Sequence, residues 1–111
     1  DIFAEKKGCF LLYNVTTGKY EKEAGTTCRE RFVACSTFKV PLAVMAFDSG
    51  ILRDENEVLK WDKVQRPKIP EWNRDHDAQS WMSNSVVWFS QRLTPELGEK
   101  KFKKYLSDFH Y

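Results

Sequence analysis

The sequence predicts an α+β fold, in which an antiparallel sheet packs against helices. Two observations predict strands: an apolar, aromatic-rich run over residues 8–13, and an alternating segment over residues 20–24. A third observation predicts a helix, because the apolar run over residues 36–47 is too long for an ordinary strand. The chain has 111 residues, of which 41% are hydrophobic, and we expect residues 1–111 to belong to one domain.

The two predicted strands form a hairpin. Thr17-Gly18 between them is typical of a turn. We expect the first strand to be buried and the second to be more exposed, since only the second alternates with charged residues. Residues 25–31 are polar and indicate a loop.

The run from Ser36 to about Phe47 carries apolar side chains on every side, which predicts a helix that is buried all round. Pro41 conflicts with this helix, because it lacks an N–H just past the first turn. We therefore expect a local bend beside Ser36. Ser49-Gly50 then provides a C-terminal stop.

The second half of the chain is predicted to be helical around one irregular loop. Residues 66–77 hold two prolines among charges and indicate a surface loop. A short helical turn is expected over residues 78–82, and another apolar segment begins at Val86. Thr94-Pro95-Glu96 predicts the opening of a last helix, with Thr94 as its cap.

Composition and charge exclude several classes of partner. The 18 basic and 16 acidic residues are mostly interleaved and give a net charge of +2, so we expect neither nucleic acid nor an anionic membrane as partner. No apolar segment approaches the roughly 20 residues of a membrane span. We also expect no metal site, because the three cysteines match no zinc spacing and no second histidine lies near His76 in the sequence.

A serine and a lysine stand three residues apart at the head of the long apolar run. On a helix, Ser36 and Lys39 share one face. Lys39 is the only formally charged residue from Phe32 to Phe47, so we expect it to be drawn into the core, where burial favours the neutral amine. A neutral amine beside a serine is a base beside a nucleophile, and the Ser36 N–H is a natural oxyanion donor. The alternative is a capping serine and a lysine that extends to solvent.

Ser85-Val86-Val87 follows a polar turn and offers a second candidate group. The Ser85 hydroxyl is placed to pass a proton to a leaving amine, while the valines shield the lysine from water. The alternative interpretation is an ordinary helix cap.

The cysteines leave two interpretations open. Cys28 and Cys35 lie seven positions apart, and a disulfide between them would close a short loop in an oxidising compartment such as the periplasm. Otherwise all three cysteines are small buried apolar side chains.

Several motifs, in their order and spacing, resemble those of class D serine β-lactamases of the oxacillinase type. The resemblance extends from about Gly8 over essentially the whole chain. The motifs are Ser36-Thr37-Phe38-Lys39, Phe47-Asp48, Lys60-Trp61-Asp62, Trp81-Met82, Ser85-Val86-Val87 with Trp88 and Gln91, and Tyr105-Leu106 with Phe109 and Tyr111.

The resemblance implies a fold and a reaction. The fold is the α/β sandwich of serine β-lactamases and penicillin-binding proteins. Ser36 is then the residue that a β-lactam antibiotic acylates, and Lys39 carries carbon dioxide as a carbamate that serves as general base, with no other cofactor. Ser85 is the proton shuttle. Hydrolysis of the antibiotic confers resistance, and the family implies a periplasmic protein whose signal peptide has been removed.

The resemblance also implies a pocket, with one departure from the pattern. We expect Val87, Trp81 and Met82 to line the pocket, with Val87 against the modified lysine. Ser90 stands where many relatives carry an aromatic residue, which makes the carbamate site less dry.

The chain matches only the N-terminal portion of the family domain. Tyr111 looks like the first residue of a Tyr-Gly-Asn motif, and the later Lys-Thr/Ser-Gly strand is absent. We therefore expect an incomplete sandwich that exposes strand edges and an apolar face, and that is inactive without the remaining C-terminal part, whether this is a separate chain or not. Homodimerisation is left open.

Two other functions share these motifs. A β-lactam sensor domain of a receptor would be acylated but not turned over. A penicillin-binding transpeptidase is the third hypothesis, although Phe38 and Ser85-Val86-Val87 fit class D better.

Overall fold

The computed structural model describes residues 3–111 and divides them into two compact units, of which the first ends at Val33 and the second begins at Ala34. The first unit is the predicted hairpin. Strand β1 (Cys9–Asn14) pairs antiparallel with β2 (Lys19–Gly25), with an irregularity between Leu12 and Tyr13. The Asn14 side chain accepts hydrogen bonds from the next turn's backbone, which fixes the reversal of the chain.

The prediction that β1 is buried is wrong. Its side chains from Phe10 to Tyr13 are 42–48% exposed. In the described residues this sheet has two strands only. A two-stranded sheet by itself cannot bury the apolar side chains of β1. This apolar exposure is what we expected of an incomplete sandwich.

The predicted disulfide between Cys28 and Cys35 is also wrong. Cys28 is bonded to Cys9, with their Cα atoms 4.9 Å apart, and Cys35 is a free, exposed thiol. The cause is strand register: Cys9 begins β1 opposite Gly25, which ends β2, so the chain just beyond Gly25 returns to Cys9. Antiparallel pairing, rather than distance along the chain, selects the partner.

The second unit is helical. Its four helices are α1 (Lys39–Asp48), α2 (Ala78–Ser83), α3 (Val87–Leu97) and α4 (Glu99–Asp108). Two 3-10 turns, Cys35–Phe38 and Pro70–Trp72, precede α1 and α2. Among the helices of the described chain, none has the length and apolar character that crossing a bilayer requires.

Apolar side chains from α1, α2 and α3 form the core of this unit, together with Leu52 from the loop after α1 and Val86 from the connection between α2 and α3. The Trp81 and Phe89 rings stack 4.7 Å apart at its centre, and each large buried side chain of this kind contributes about 1.5–3 kcal/mol. The buried members are Leu42, Met45, Ala46, Leu52, Trp81, Val86, Trp88, Phe89, Leu93 and Leu97.

Helix α1 is buried on one face rather than all round, which corrects the prediction. Leu42 and Met45 are buried, whereas Val40 is 63% and Val44 50% exposed, because the packed core lies on one side of the helix. The predicted local irregularity is the 3-10 turn that runs into α1. Pro41 is the third residue of α1, in its first turn, where a proline is tolerated.

The predicted helix opening at Thr94 is wrong. Helix α3 continues through Pro95 to Leu97, and α4 begins after Gly98, whose φ of 78° ends the previous helix. Leu93 and Leu97 lie one turn apart and are both buried. Their packing outweighs the one hydrogen bond that Pro95 removes.

Candidate active site

The hydroxyls of Ser36 and Ser85 and the amine of Lys39 meet in the second unit. Lys39 Nζ donates hydrogen bonds to Ser85 Oγ at 2.7 Å and to the Ser36 carbonyl oxygen at 3.1 Å. The Ser85 hydroxyl donates to Ser36 Oγ at 2.9 Å. Ser85 Oγ therefore stands between the amine and the candidate nucleophile.

Ser36 and Lys39 lie close together where the first 3-10 turn meets α1. Ser36 lies in the turn, and Lys39 is the first residue of α1. Our expectation that Lys39 enters the core is wrong: it is half-buried, and Ser36 is exposed. A long lysine side chain can lie along apolar surface while its amine reaches polar partners, which here are Ser85 and the Ser36 carbonyl.

Ser85 lies in the short connection between α2 and α3. Its φ of 51° places it in the left-handed region, which residues other than glycine rarely adopt. It is not a helix cap, since Val86 occupies the N-cap position of α3 and the cap has no side-chain hydrogen bond. A conformation of this kind costs on the order of 1–3 kcal/mol and is often found at functional sites.

A cavity of about 360 Å³ opens beside Ser36 and Lys39. Val87 lines it, whereas Trp81 and Met82 are not among its lining residues. Trp81 is fully buried and donates its indole N–H to Ser90 Oγ at 3.0 Å, so Ser90, not the tryptophan, faces the cavity. The lining residues are Cys35, Ser36, Phe38, Lys39, Leu42, Val87, Ser90, Gln91, Thr94 and Phe102.

Sequence reasoning did not assign Phe38, Leu42 and Phe102 to this cavity. Phe38 and Phe102 have ring centroids 5.8 Å apart, which brings α4 against the start of α1. The available signal was the aromatic residue inside the Ser-x-x-Lys motif itself. A second signal was helical spacing, because Leu42 lies three residues after Lys39 and so shares its face of α1.

His76 is buried and both of its ring nitrogens have protein partners. The Glu71 carbonyl, 3.0 Å away, can only accept, so Nε2 carries the proton, and Nδ1 accepts from the Ser80 hydroxyl at 2.9 Å. Burial, with a smaller contribution from Arg74, lowers the pKa of His76 below its usual 6.5. Its role in the structure is therefore that of a neutral bridge between the second 3-10 turn and α2.

The loop before His76 is fixed by a partly buried ion pair. Arg66 donates to both carboxylate oxygens of Asp62, at 2.9 and 2.6 Å. Mainly through this hydrogen bonding, Arg66 lowers the pKa of Asp62 to about 2. The Asn73 amide also pairs with the Arg66 backbone, which ties the two ends of the loop together.

Comparison with known proteins identifies the family. Residues 8–111 match the penicillin binding protein transpeptidase domain. The chain is 42% identical to β-lactamase OXA-1 of Escherichia coli over 112 residues, which cover 99% of this chain and 40% of that protein. It is 38% identical over 104 residues to the regulatory protein BlaR1 of Bacillus licheniformis, covering 94% of this chain and 17% of that protein.

Solved structures agree with the sequence relatives. A class D β-lactamase from Bacillus subtilis superposes with a TM-score of 0.83 at 32% identity, and the match covers 98% of this chain and 46% of that one. The structure of OXA-427, a class D β-lactamase, superposes with a TM-score of 0.80 at 39% identity and covers 95% of this chain and 43% of that one. The chain therefore spans less than half the length of the relatives that it matches.

Proposed function

Since this chain belongs to the family of penicillin-binding protein transpeptidase domains, we propose that it supplies the nucleophile and base of a class D serine β-lactamase. The reaction is hydrolysis of β-lactam antibiotics through an acyl-serine intermediate. One observation carries the proposal: Ser85 Oγ bridges Lys39 Nζ and Ser36 Oγ at 2.7 and 2.9 Å. The similarity to OXA-1 and to solved class D enzymes supports the choice of substrate.

The bridge provides a path for the proton that Ser36 must lose. When Lys39 is a neutral amine, the Ser36 hydroxyl donates to Ser85 Oγ, and the Ser85 hydroxyl donates to Lys39 Nζ. As Ser36 Oγ forms a bond to the lactam carbonyl carbon, the proton moves along this path and the lysine becomes an ammonium. The Ser36 N–H is the proposed donor from this chain to the developing oxyanion.

The same path works in reverse when the ring opens. The carbonyl re-forms, the lactam C–N bond breaks, and the leaving nitrogen takes a proton from Ser85, which Lys39 then reprotonates. Ser85 and Lys39 thus regain their starting protonation, the Ser36 proton now lies on the departed nitrogen, and the substrate is held as an ester on Ser36. Hydrolysis of that ester by water regenerates the serine.

We propose that Lys39 is N-carboxylated, as the resemblance implies. The residues fit this modification, because the apolar side chains of Phe38, Leu42 and Val87 line the cavity beside Lys39 and the Ser85 hydroxyl lies within hydrogen-bond distance of Lys39 Nζ. In the carboxylated protein the carbamate would take the place of the free amine as the base at the Lys39 end of this path, for both acylation and deacylation. Carbon-13 bicarbonate should give a carbamate resonance in the full-length protein that Lys39→Ala removes and Lys60→Ala retains.

Similarity to BlaR1 favours a second candidate function, a β-lactam sensor that is acylated and stays acylated. The two functions share Ser36, Lys39 and Ser85 and differ in the lifetime of the ester. Turnover in excess of one substrate per protein supports the enzyme. A single stoichiometric burst with no further product supports the sensor.

We propose a periplasmic location for the protein. The Cys9–Cys28 disulfide supports an oxidising compartment, because such bonds are rare where thiols are kept reduced. Cell fractionation should recover the disulfide-bonded form with periplasmic markers.

The proposed enzyme needs more than this chain. The relatives are more than twice as long, and we propose that their remaining C-terminal part completes the substrate site. Purified full-length protein should hydrolyse nitrocefin with multiple turnovers, and Ser36→Ala should abolish hydrolysis. Full turnover by the 111-residue chain alone would overturn the proposed need for a second part, and no turnover or acylation in the full-length protein would overturn the proposed reaction.

A further inference from the structure

The connection that holds Ser85 is fixed at both of its peptide planes. The plane between Asn84 and Ser85 is held by the Ser85 N–H, which donates to the Met82 carbonyl at 3.3 Å. The next plane is held by the Val86 N–H, which donates to the Trp81 carbonyl at 3.1 Å. Because the two planes determine φ and ψ of Ser85, they also determine the direction of its Cα–Cβ bond, from which Oγ reaches Lys39 and Ser36.

An indole side chain holds the other edge of the first plane. Trp72 Nε1 donates to the carbonyl oxygen of Asn84 at 2.9 Å, across 12 residues of sequence. That carbonyl belongs to the peptide bond that precedes Ser85. Rotation of this peptide plane would change φ of Ser85 from its left-handed value and move Cβ, and Oγ with it, away from Lys39.

Trp72 is itself well fixed. Its carbonyl oxygen accepts from the buried Trp88 indole at 2.9 Å, and its backbone N–H donates to the Ile69 carbonyl at 3.1 Å. The neighbouring Glu71 carbonyl accepts from His76 Nε2. The second 3-10 turn is therefore anchored to the core, so its indole is a rigid donor.

We propose that Trp72 is a positioning residue for the reaction, whose indole N–H holds Ser85 in the strained conformation that bridges Lys39 and Ser36. This inference rests on the proposed function, in which Ser85 relays the proton. In this proposal Trp72 acts by its hydrogen bond to the Asn84 carbonyl oxygen, and not by the packing of its ring. Without the N–H, the carbonyl loses its donor and the strained conformation loses a support.

The test removes the N–H and keeps the ring. In the full-length protein, Trp72 is replaced by 3-benzothienylalanine, in which sulfur takes the place of the indole N–H. Trp61, whose Nε1 donates to the Val64 carbonyl at 3.2 Å, receives the same replacement as the matched control. The rate constant for acylation by nitrocefin is measured for both, in the wild-type and Ser85→Ala backgrounds.

We expect the replacement at Trp72 to slow acylation about tenfold in the wild-type background and less than twofold in Ser85→Ala, because the indole acts through the Ser85 hydroxyl. The replacement at Trp61 should change neither. An equal loss in both backgrounds, or no loss in either, would overturn the proposal.

A crystal structure of each variant gives a readout that does not depend on activity. Replacement at Trp72 should lengthen the 2.7 Å contact between Lys39 Nζ and Ser85 Oγ and shift φ of Ser85, whereas replacement at Trp61 should not. An unchanged Ser85 in the Trp72 variant would refute the positioning role. If wild-type protein is not acylated at all, the proposed function fails while this structural readout still decides the role of Trp72.

Discussion

The Nζ atom of Lys39 lies 2.7 Å from the Oγ atom of Ser85, although 46 residues separate them in the sequence. This contact joins the first residue of α1 to the strained connection between α2 and α3. It converts a serine and a lysine that are neighbours along the chain into a three-residue relay. Disrupting either end of the contact should therefore slow the same chemical step.

Ser85→Ala should slow acylation of Ser36 in the full-length protein by about 10²–10⁴-fold, the usual contribution of a positioned proton-transfer group. Stopped-flow measurement with nitrocefin gives the rate constant. Ser83→Ala, two residues earlier and exposed, is the matched control and should leave the rate unchanged. Equal rates for the two variants would remove Ser85 from the mechanism.

Asp62→Asn should lower the free energy of unfolding at neutral pH by about 1–2 kcal/mol, after allowance for partial solvent exposure of the ion pair with Arg66. Because folding lowers the pKa of Asp62 from 3.8 to about 2, this stabilisation is complete above pH 4 and is lost as the pH falls towards 2. Denaturant melts of wild type and variant should converge over that interval.

Asp108→Asn is the control for this ion pair. Asp108 accepts from Lys104 one turn earlier on α4, but both side chains are largely exposed, so the expected loss is about 0.3–0.5 kcal/mol. A loss at Asp62 that is no larger, or that does not depend on pH, would contradict the assignment.

His76 should make the protein less stable as the pH falls below 6.5. The folded protein holds His76 neutral, because burial and Arg74 outweigh the Glu71 carbonyl and the nearby Asp75 and Asp77, which favour the charged form. The unfolded chain binds the proton first, so stability present above pH 6.5 is lost on acidification. The slope of unfolding free energy against pH between 6.5 and 5 should be steeper in wild type than in His76→Gln.

Two measurements accompany the His76 prediction. An NMR titration should place the midpoint of His76 below 6.5. Identical slopes in wild type and His76→Gln would show that the histidine does not couple folding to pH in this range.

The disulfide should be found between Cys9 and Cys28, with Cys35 as the single reactive thiol. Peptide mapping under non-reducing conditions identifies the pair. Cys28→Ser should cost about 2–4 kcal/mol, as expected for a bond that closes a loop of 19 residues, whereas Cys35→Ser should cost little because its side chain is exposed. Mapping that joins Cys28 to Cys35 would contradict the structure.

Features that depend on neighbouring residues could be predicted from the sequence. The hairpin follows from an apolar run, a turn and an alternating segment, and Ser36 and Lys39 come together because three residues make nearly one helical turn. Burial could not be predicted in the same way. Val40 has the same apolar character as Leu42, but only Leu42 faces the packed core.

Features that depend on tertiary contacts could not be predicted from neighbouring residues. The partner of Cys28 is set by strand register, and the start of the last helix is moved beyond Pro95 by the burial of Leu97. Residue-level reasoning offered Ser85 either as a proton donor beside the lysine or as a helix cap, and the family resemblance implied the first. The bond from Trp72 to Asn84 leaves no sequence signal, since any tryptophan can donate and only the fold selects its acceptor.

The central claim is that Ser36 is the nucleophile that a β-lactam acylates. Mass spectrometry of the full-length protein, stopped by acid within seconds of adding benzylpenicillin, tests it most directly. We predict a mass increase equal to one intact penicillin, located on the peptide that contains Ser36, absent in Ser36→Ala and present in Ser49→Ala, whose hydroxyl donates to the Ala46 carbonyl at 3.4 Å. A penicillin adduct on any other residue, or none under conditions where the drug is consumed, would contradict it.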